Sequence, residues 1–214
     1  MSKMMEQDID GLVHIVDDDA PLRAAISSLL RSVGLNVADY GSVAQFLAQP
    51  RPEVVSCLLL DVRLQGISGL DFQAELNRDG VPLPVVFMTG HGDIPMSVRA
   101  MKAGAHDFLA KPFRDQDLLD AVNLALAADR HRRTRDQAAQ AMHDCYATLT
   151  PREREIMALA ASGLMNKQIA GDLGTSEITV KIHRGNAMRK MQARTFADLV
   201  RMAEALGIDT TRRK

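Results

Sequence analysis

Residues 12–21 read LVHIVDDDAP, an apolar run broken by three consecutive carboxylates, Asp17, Asp18 and Asp19. Like charges in contact repel, so crowding them where a buried segment ends destabilises a fold unless something positive sits among them. The apolar run is short, continuous and rich in β-branched residues, which is strand character. Four more runs resemble it: LNVAD at 35–39, VSCLLLD at 55–61, LPVVFMT at 83–89 and HDFLAK at 106–111. Their mostly unbroken apolar character predicts parallel strands covered on both faces.

Between and after these runs lie APLRAAISSLLRSV, SVAQFLA, GLDFQAELNR, IPMSVRAMKAG and DQDLLDAVNLALAA. Apolar residues recur in them at three and four positions, the spacing of one helix face. Gly34, Gly80 and Gly104 stand where helices would stop. Five strand–helix alternations predict an α/β doubly wound, five-stranded parallel sheet. Such sheets bind ligands at the carboxyl ends of their strands.

At residue 129 the pattern changes. DRHRRTRDQAAQAMHDCYA has almost no apolar stripe and reads equally as a helical or a flexible connector. From Thr150 onward all signals are helical. Thr150, Pro151 and Glu153 form the start of a capped helix that stops at Gly163. NKQIAGDL is a short second helix ending at Gly174, SEITVKIHRGNAMRKM a third with Ser176 as N-cap, and TFADLVRMAEAL a fourth stopping at Gly207. A short helix, a tight turn and a longer basic helix make a helix-turn-helix pattern. The expected organisation is a domain at 10–127, a helical linker at 128–146 and a small all-α, four-helix helix-turn-helix domain at 147–210.

Charge follows the same division. Residues 1–128 carry 17 Asp and Glu against 10 Lys and Arg, and residues 129–214 carry 10 against 16, balances of -7 and +6. A basic rear half is suited to a polyanion. No run of about 18 apolar residues exists, so no membrane span is expected. The first ten residues, MSKMMEQDID, lack an apolar core, so export is not expected either. Cys57 and Cys145 make neither a disulfide framework nor a metal-ligand spacing, and a cytoplasmic setting is the simplest.

Asp17 and Asp18 end the first strand, Asp61 the third, Thr89 the fourth, and Lys111 follows the fifth. Parallel strands bring these ends to one sheet edge. Three carboxylates with room for water suit Mg²⁺, a hard cation that takes oxygen ligands and keeps several waters. The same set suits phosphoryl transfer, with metal and lysine neutralising charge while an aspartate oxygen attacks phosphorus. Taken singly, each residue has a plainer reading. Asp19 reads as a helix N-cap because Pro21 follows it, and a lone lysine or threonine is usually a surface or loop residue.

VDDD, LLLDVRLQGISGLDF, MTGHGDIPMSVRAMKAGAHDFLAKPF and LTPREREIMALAASGLMNKQIAGDLGTSEITVKIHRGNAMRKM together resemble two-component response regulators of the FixJ/NarL class. The front resembles a flavodoxin-like receiver domain and the rear a LuxR-type helix-turn-helix. The resemblance implies Asp61 as phosphoacceptor. It implies Mg²⁺ held by Asp18, by Asp61, by the backbone carbonyl of Arg63 and, directly or through water, by Asp17. Lys111 and Thr89 would contact the phosphoryl group, and Phe108 holds the position of a switch aromatic, although plain core packing explains it as well. A cis bond is implied before Pro112. Where many relatives have proline, Gln65 restores a backbone N–H and frees φ. His91 lies near enough in sequence to touch the site, although a solvated loop histidine is the plainer reading.

In the rear domain the resemblance places Lys181 and Ile182 at base-reaching positions, with Thr179, His183 and Arg184 nearby and Asn166 and Lys167 as phosphate anchors. Pattern alone assigns Ile178, Ile182 and Met188 or Met191 to the inward stripe, so Ile182 has two incompatible roles at this stage. Gly185 stands where a relative has lysine. The implied partners are a sensor histidine kinase, double-stranded promoter DNA, RNA polymerase and a second copy of the chain upon phosphorylation. A Mg²⁺-dependent aspartyl-phosphate phosphatase or phosphotransferase is the enzymatic alternative. Such enzymes offer a second acid two residues after the nucleophile, and Arg63 stands there instead, so no turnover of external substrates is expected. An unphosphorylated receiver acting only as a dimerisation platform is a third reading.

Overall fold

The computed structural model describes residues 11–50, 52–90 and 94–208, with 94 and 95 by backbone alone. Strands β1 (Leu12–Val16), β2 (Asn36–Tyr40), β3 (Ser56–Asp61), β4 (Val85–Thr89) and β5 (Asp107–Ala110) form one all-parallel sheet in the order β2-β1-β3-β4-β5. They alternate with helices α1 (Ala20–Ser32), α2 (Val43–Leu47), α3 (Gly69–Arg78), α4 (Ile94–Lys102) and α5 (Asp115–Ala147). Every residue of β3, the central strand, is buried. Its odd residues Cys57 and Leu59 pack with Val13 and Ile15 beneath α1 and α5, against Ile26, Leu30, Leu118 and Val122. Its even residues Leu58 and Leu60 pack on the other face with Phe46, Phe72, Leu76 and Ala100 of α2, α3 and α4. Period-two alternation on a sheet covered twice yields the continuous apolar run. Edge strand β2 is only half-buried and begins one residue later than its sequence pattern indicates.

Helix α5 runs on through the segment whose order the sequence left open. Glycine and proline are absent from it, and Asp129 pairs with Arg132 and Arg133 one turn on, while Gln140 donates to Asp144. Such i,i+3 and i,i+4 partners support a helix that lacks an apolar stripe. Compact units meet between Arg133 and Thr134. The first half of α5 gives Ala121, Val122 and Leu126 to the sheet's core, and its end gives Met142, Cys145 and Tyr146 to the core of the second unit.

That second unit is built from α6 (Pro151–Ala161), α7 (Asn166–Asp172), α8 (Glu177–Lys190) and α9 (Phe196–Ala205). Thr150 and Glu153 make the expected capping box, and Ser176 caps α8 by accepting from the Thr179 N–H. Thr195 and Asp198 make a second box that the sequence reading passed over. Met157, Ala187, Met191, Leu199 and Ala203 form one part of its core, and Ile156, Ala160, Ile169 and Val180 the other. No helix among the described residues is long and apolar enough to cross a membrane.

Candidate functional site

At the carboxyl edge of the sheet, β1, β3 and β5 bring three distant segments together. The Lys111 ammonium donates to Asp17 Oδ2 at 2.6 Å and to Asp61 Oδ1 at 2.9 Å. This is the cation that the acidic run at residues 17–19 requires. Asp17 is fully buried, with Oδ1 accepting the Asp19 N–H at 2.9 Å, and the Arg23 guanidinium donates to its main-chain oxygen. Asp61 is nearly buried and its Oδ2 accepts the Arg63 N–H at 3.0 Å. Asp18 is exposed, and Asp19 caps α1. Burial pushes the Asp61 carboxyl above the ordinary range, and the Asp17 charge adds to that; Lys111 and the Arg63 N–H pull against it. Burial draws Lys111 down, but its hydrogen bonds to two carboxylates and their charges outweigh that and hold it above the usual lysine value.

Carboxylate oxygens of Asp17, Asp18 and Asp61 lie within 4.8 Å of one another. Three hard oxygen donors, one of them open to solvent, fit a divalent cation of the Mg²⁺ type. Arg63, whose carbonyl the sequence reading added to this set, sits in the turn after β3, which an antiparallel bridge to Ser68 closes. Thr89 ends β4 almost fully buried, and its main-chain oxygen accepts the Lys111 N–H at 2.7 Å. The Lys111–Pro112 bond is cis. Phe108 is half-buried against the cluster beneath α3 and α4, in register with Phe87. Gln65 is exposed in the turn after β3, and His91 lies outside the described residues.

In the second unit, the direction of α8 corrects the inward stripe. Val180, Ala187 and Met191 face the core, with Met188 half-buried, whereas Ile178 and Ile182 are exposed. At 100° per residue, Val180 lies nearly opposite both isoleucines, so burying it turns them outward. Lys181, Gly185 and Arg189 share that outward side, and Lys167 is exposed on α7. Of the remaining candidates, Asn166, Thr179 and Arg184 are engaged within the unit. Arg184 donates to Asn166 Oδ1 at 3.1 Å and lies 4.2 Å over the Phe196 ring. Thr179 Oγ1 lies 2.9 Å from the capping Ser176 hydroxyl, and His183 is half-buried with a shielded, unbonded Nδ1.

Residues 13–123 match the response regulator receiver domain family, and residues 147–203 match the bacterial regulatory proteins of the luxR family. The chain belongs to the two-component response regulators of the FixJ/NarL class. It is 54% identical to nodulation protein W of Bradyrhizobium diazoefficiens over 203 residues, covering 95% of this chain and 89% of that one. It is 43% identical to the transcriptional regulatory protein FixJ of Azorhizobium caulinodans, covering 92% and 93%. Among solved structures, response regulator StyR superposes with a TM-score of 0.83 at 45% identity, over 91% of this chain and 98% of that one. As a response regulator with a luxR-type domain, the chain is a DNA-binding transcription regulator. Receiver domains as a class bind Mg²⁺ at such an acidic pocket.

Two residues that shape the regulator's receiver escaped the sequence reading. Arg23 was hidden because a single arginine on an amphipathic helix gives no sign of bonding a carbonyl six residues back. Asp129 is fully buried and accepts the Ser56 N–H at 3.0 Å as well as bonds from Arg132 and Arg133. Its acid–base spacing along a helix was visible, but the partner 73 residues away was not.

Proposed function

We propose that this regulator is switched by transfer of a phosphoryl group from a phosphohistidine of a sensor kinase to Asp61. A carboxylate oxygen of Asp61 attacks phosphorus, the P–N bond breaks, and the leaving imidazole takes up a proton. The observation that carries this reading is Lys111 bridging Asp17 and Asp61 beside the solvent-open Asp18. A cation already within hydrogen-bond reach of the acceptor is placed to neutralise the incoming oxygens. Mg²⁺ held by Asp17, Asp18, Asp61 and the Arg63 carbonyl would supply further charge neutralisation. The acyl phosphate carries about two negative charges at the end of β3, where the free carboxylate carried one. Thr89 then turns toward the new oxygens, and Phe108 moves into the space it leaves. The shifted α4–β5 face pairs two copies, and the paired luxR-type domains bind promoter DNA in the cytoplasm, where RNA polymerase is the further partner. The chain turns over no external substrate, consistent with Arg63 in place of a second acid.

The test is incubation of the full chain with acetyl phosphate and Mg²⁺, read by intact mass and by sedimentation. Wild type should gain one phosphoryl group and dimerise, and Asp61→Asn should do neither while melting at or above the wild-type temperature. Uptake by Asp61→Asn at the wild-type level would overturn the assignment.

A further inference from the structure

On α8, Ile178 is 73% exposed and Ile182 57% exposed. They lie one turn apart on the outward side, together with Lys181, Gly185 and Arg189. Two large aliphatic side chains left in water on a small helical unit call for an occupant. Their surroundings identify its chemistry. Between residues 166 and 190 the chain carries five Lys and Arg against two Asp and Glu. Lys181 lies exposed between the two isoleucines in sequence, and Arg189 follows on the same side. A Cβ built on Gly185 would meet nothing within 4 Å, so the helix is bare just beyond Ile182 and its backbone can come close to whatever it faces. An apolar pair framed by cations on a slender helix is complementary to a groove walled by phosphates with apolar groups on its floor.

Duplex DNA offers one such group in the major groove, the C5-methyl of thymine. Four residues of helix advance about 6 Å, against a rise of about 3.4 Å per base pair, so two side chains one turn apart span about two base-pair steps. We propose that Ile178 and Ile182 are thymine readers, each packing on a methyl group, so that the preferred half-site carries thymines about two base pairs apart. This rests on the DNA-binding reading of the unit and names what its outward face selects.

The experiment uses the full chain with beryllofluoride and Mg²⁺ to enrich binding sites from a library of random-sequence duplexes. In the enriched duplex, each thymine is then replaced in turn by deoxyuridine, which removes the methyl and nothing else. Wild type should lose about fourfold in affinity at each of two thymines per half-site, the worth of one buried methyl. Ile178→Ala and Ile182→Ala should each erase the methyl dependence at one of those positions and leave the other. Wild type indifferent to deoxyuridine throughout overturns the proposal, and that arm needs no variant to fold. Alanine variants that keep both methyl effects overturn it too. Alanine variants that lose only self-association make the pair a protein interface, and the proposal fails. A chain that enriches no sequence overturns both this inference and the DNA-binding reading beneath it, whereas enrichment without methyl dependence overturns this inference alone.

Discussion

The α-carbon of Gly69 is backed against the main-chain carbonyl of Asp61: a Cβ built there would lie 2.3 Å from that oxygen. The Gly69 N–H also donates to the Val62 oxygen at 2.9 Å, so the start of α3 is seated on the strand end that presents Asp61. Gly69→Ala must therefore push α3 away from β3. We expect a loss of about 2–3 kcal/mol in chemical denaturation, a typical overpacking cost, together with slower phosphoryl uptake from acetyl phosphate. A variant as stable and as fast as wild type would show that the two elements separate freely.

Removing the cation between Asp17 and Asp61 leaves two buried carboxylates facing each other. Lys111→Ala should cost about 2–4 kcal/mol in metal-free buffer. A ligand that binds the native state alone raises its stability. Mg²⁺ should consequently raise the melting temperature of Lys111→Ala by more than that of wild type, because it now replaces the missing charge. Equal shifts in the two proteins, measured by differential scanning fluorimetry, would contradict this account of the pocket.

Acid should expose Asp129. Burial raises its carboxyl, but bonds from Arg133, the Ser56 N–H and Arg132 prevail and hold it below the usual 3.8. A depressed native value means this stabilisation is fully present above the unfolded-state value and is lost as pH falls through the native one. Asp129→Asn should be less stable than wild type by about 1–3 kcal/mol at neutral pH. The gap should stay constant down to about pH 5 and narrow below about pH 4, where the wild-type carboxyl takes up its proton. Urea titrations at several pH values would read it, and a gap that widens in acid would reverse the assignment.

Arg184 is occupied before any nucleic acid arrives. Its hydrogen bond to Asn166 and its position over Phe196 tie the starts of α7 and α9 to α8. Arg184→Ala should lower the stability of the second unit by about 2–4 kcal/mol, the sum of a charged hydrogen bond and a cation–π contact. Lys181→Ala, on the outward side, should leave the melting curve within about 0.5 kcal/mol of wild type. Two identical melting curves would remove the bracing role of Arg184.

What could be read in advance follows from what each signal depends on. VSCLLLD announced a twice-covered strand because burial on both faces forces apolar residues at every position, and the sheet edge then placed Asp17, Asp61, Thr89 and Lys111 together. The order of residues 129–147 stayed open because side-chain pairs such as Asp129–Arg133 hold that helix, and an apolar stripe does not. Ile178 was misplaced, and Ile182 left between two roles, because an outward apolar residue has the same spacing signature as a buried one. Only the packing of Val180 and Ala187 fixes the phase of α8. Asp17 and Asp18 were legible as a pair, but which of them is enclosed depends on Lys111, 94 residues from Asp17.

That sequence distance bears on timing during synthesis. Lys111 closes the pocket from β5, the last strand of the sheet to leave the ribosome, while the two acids it joins are made 94 and 50 residues earlier. Until β5 is added, Asp17 and Asp61 lack their counter-charge. A partly made chain therefore lacks the Lys111 bridge, and the pocket is completed only when the edge strand docks.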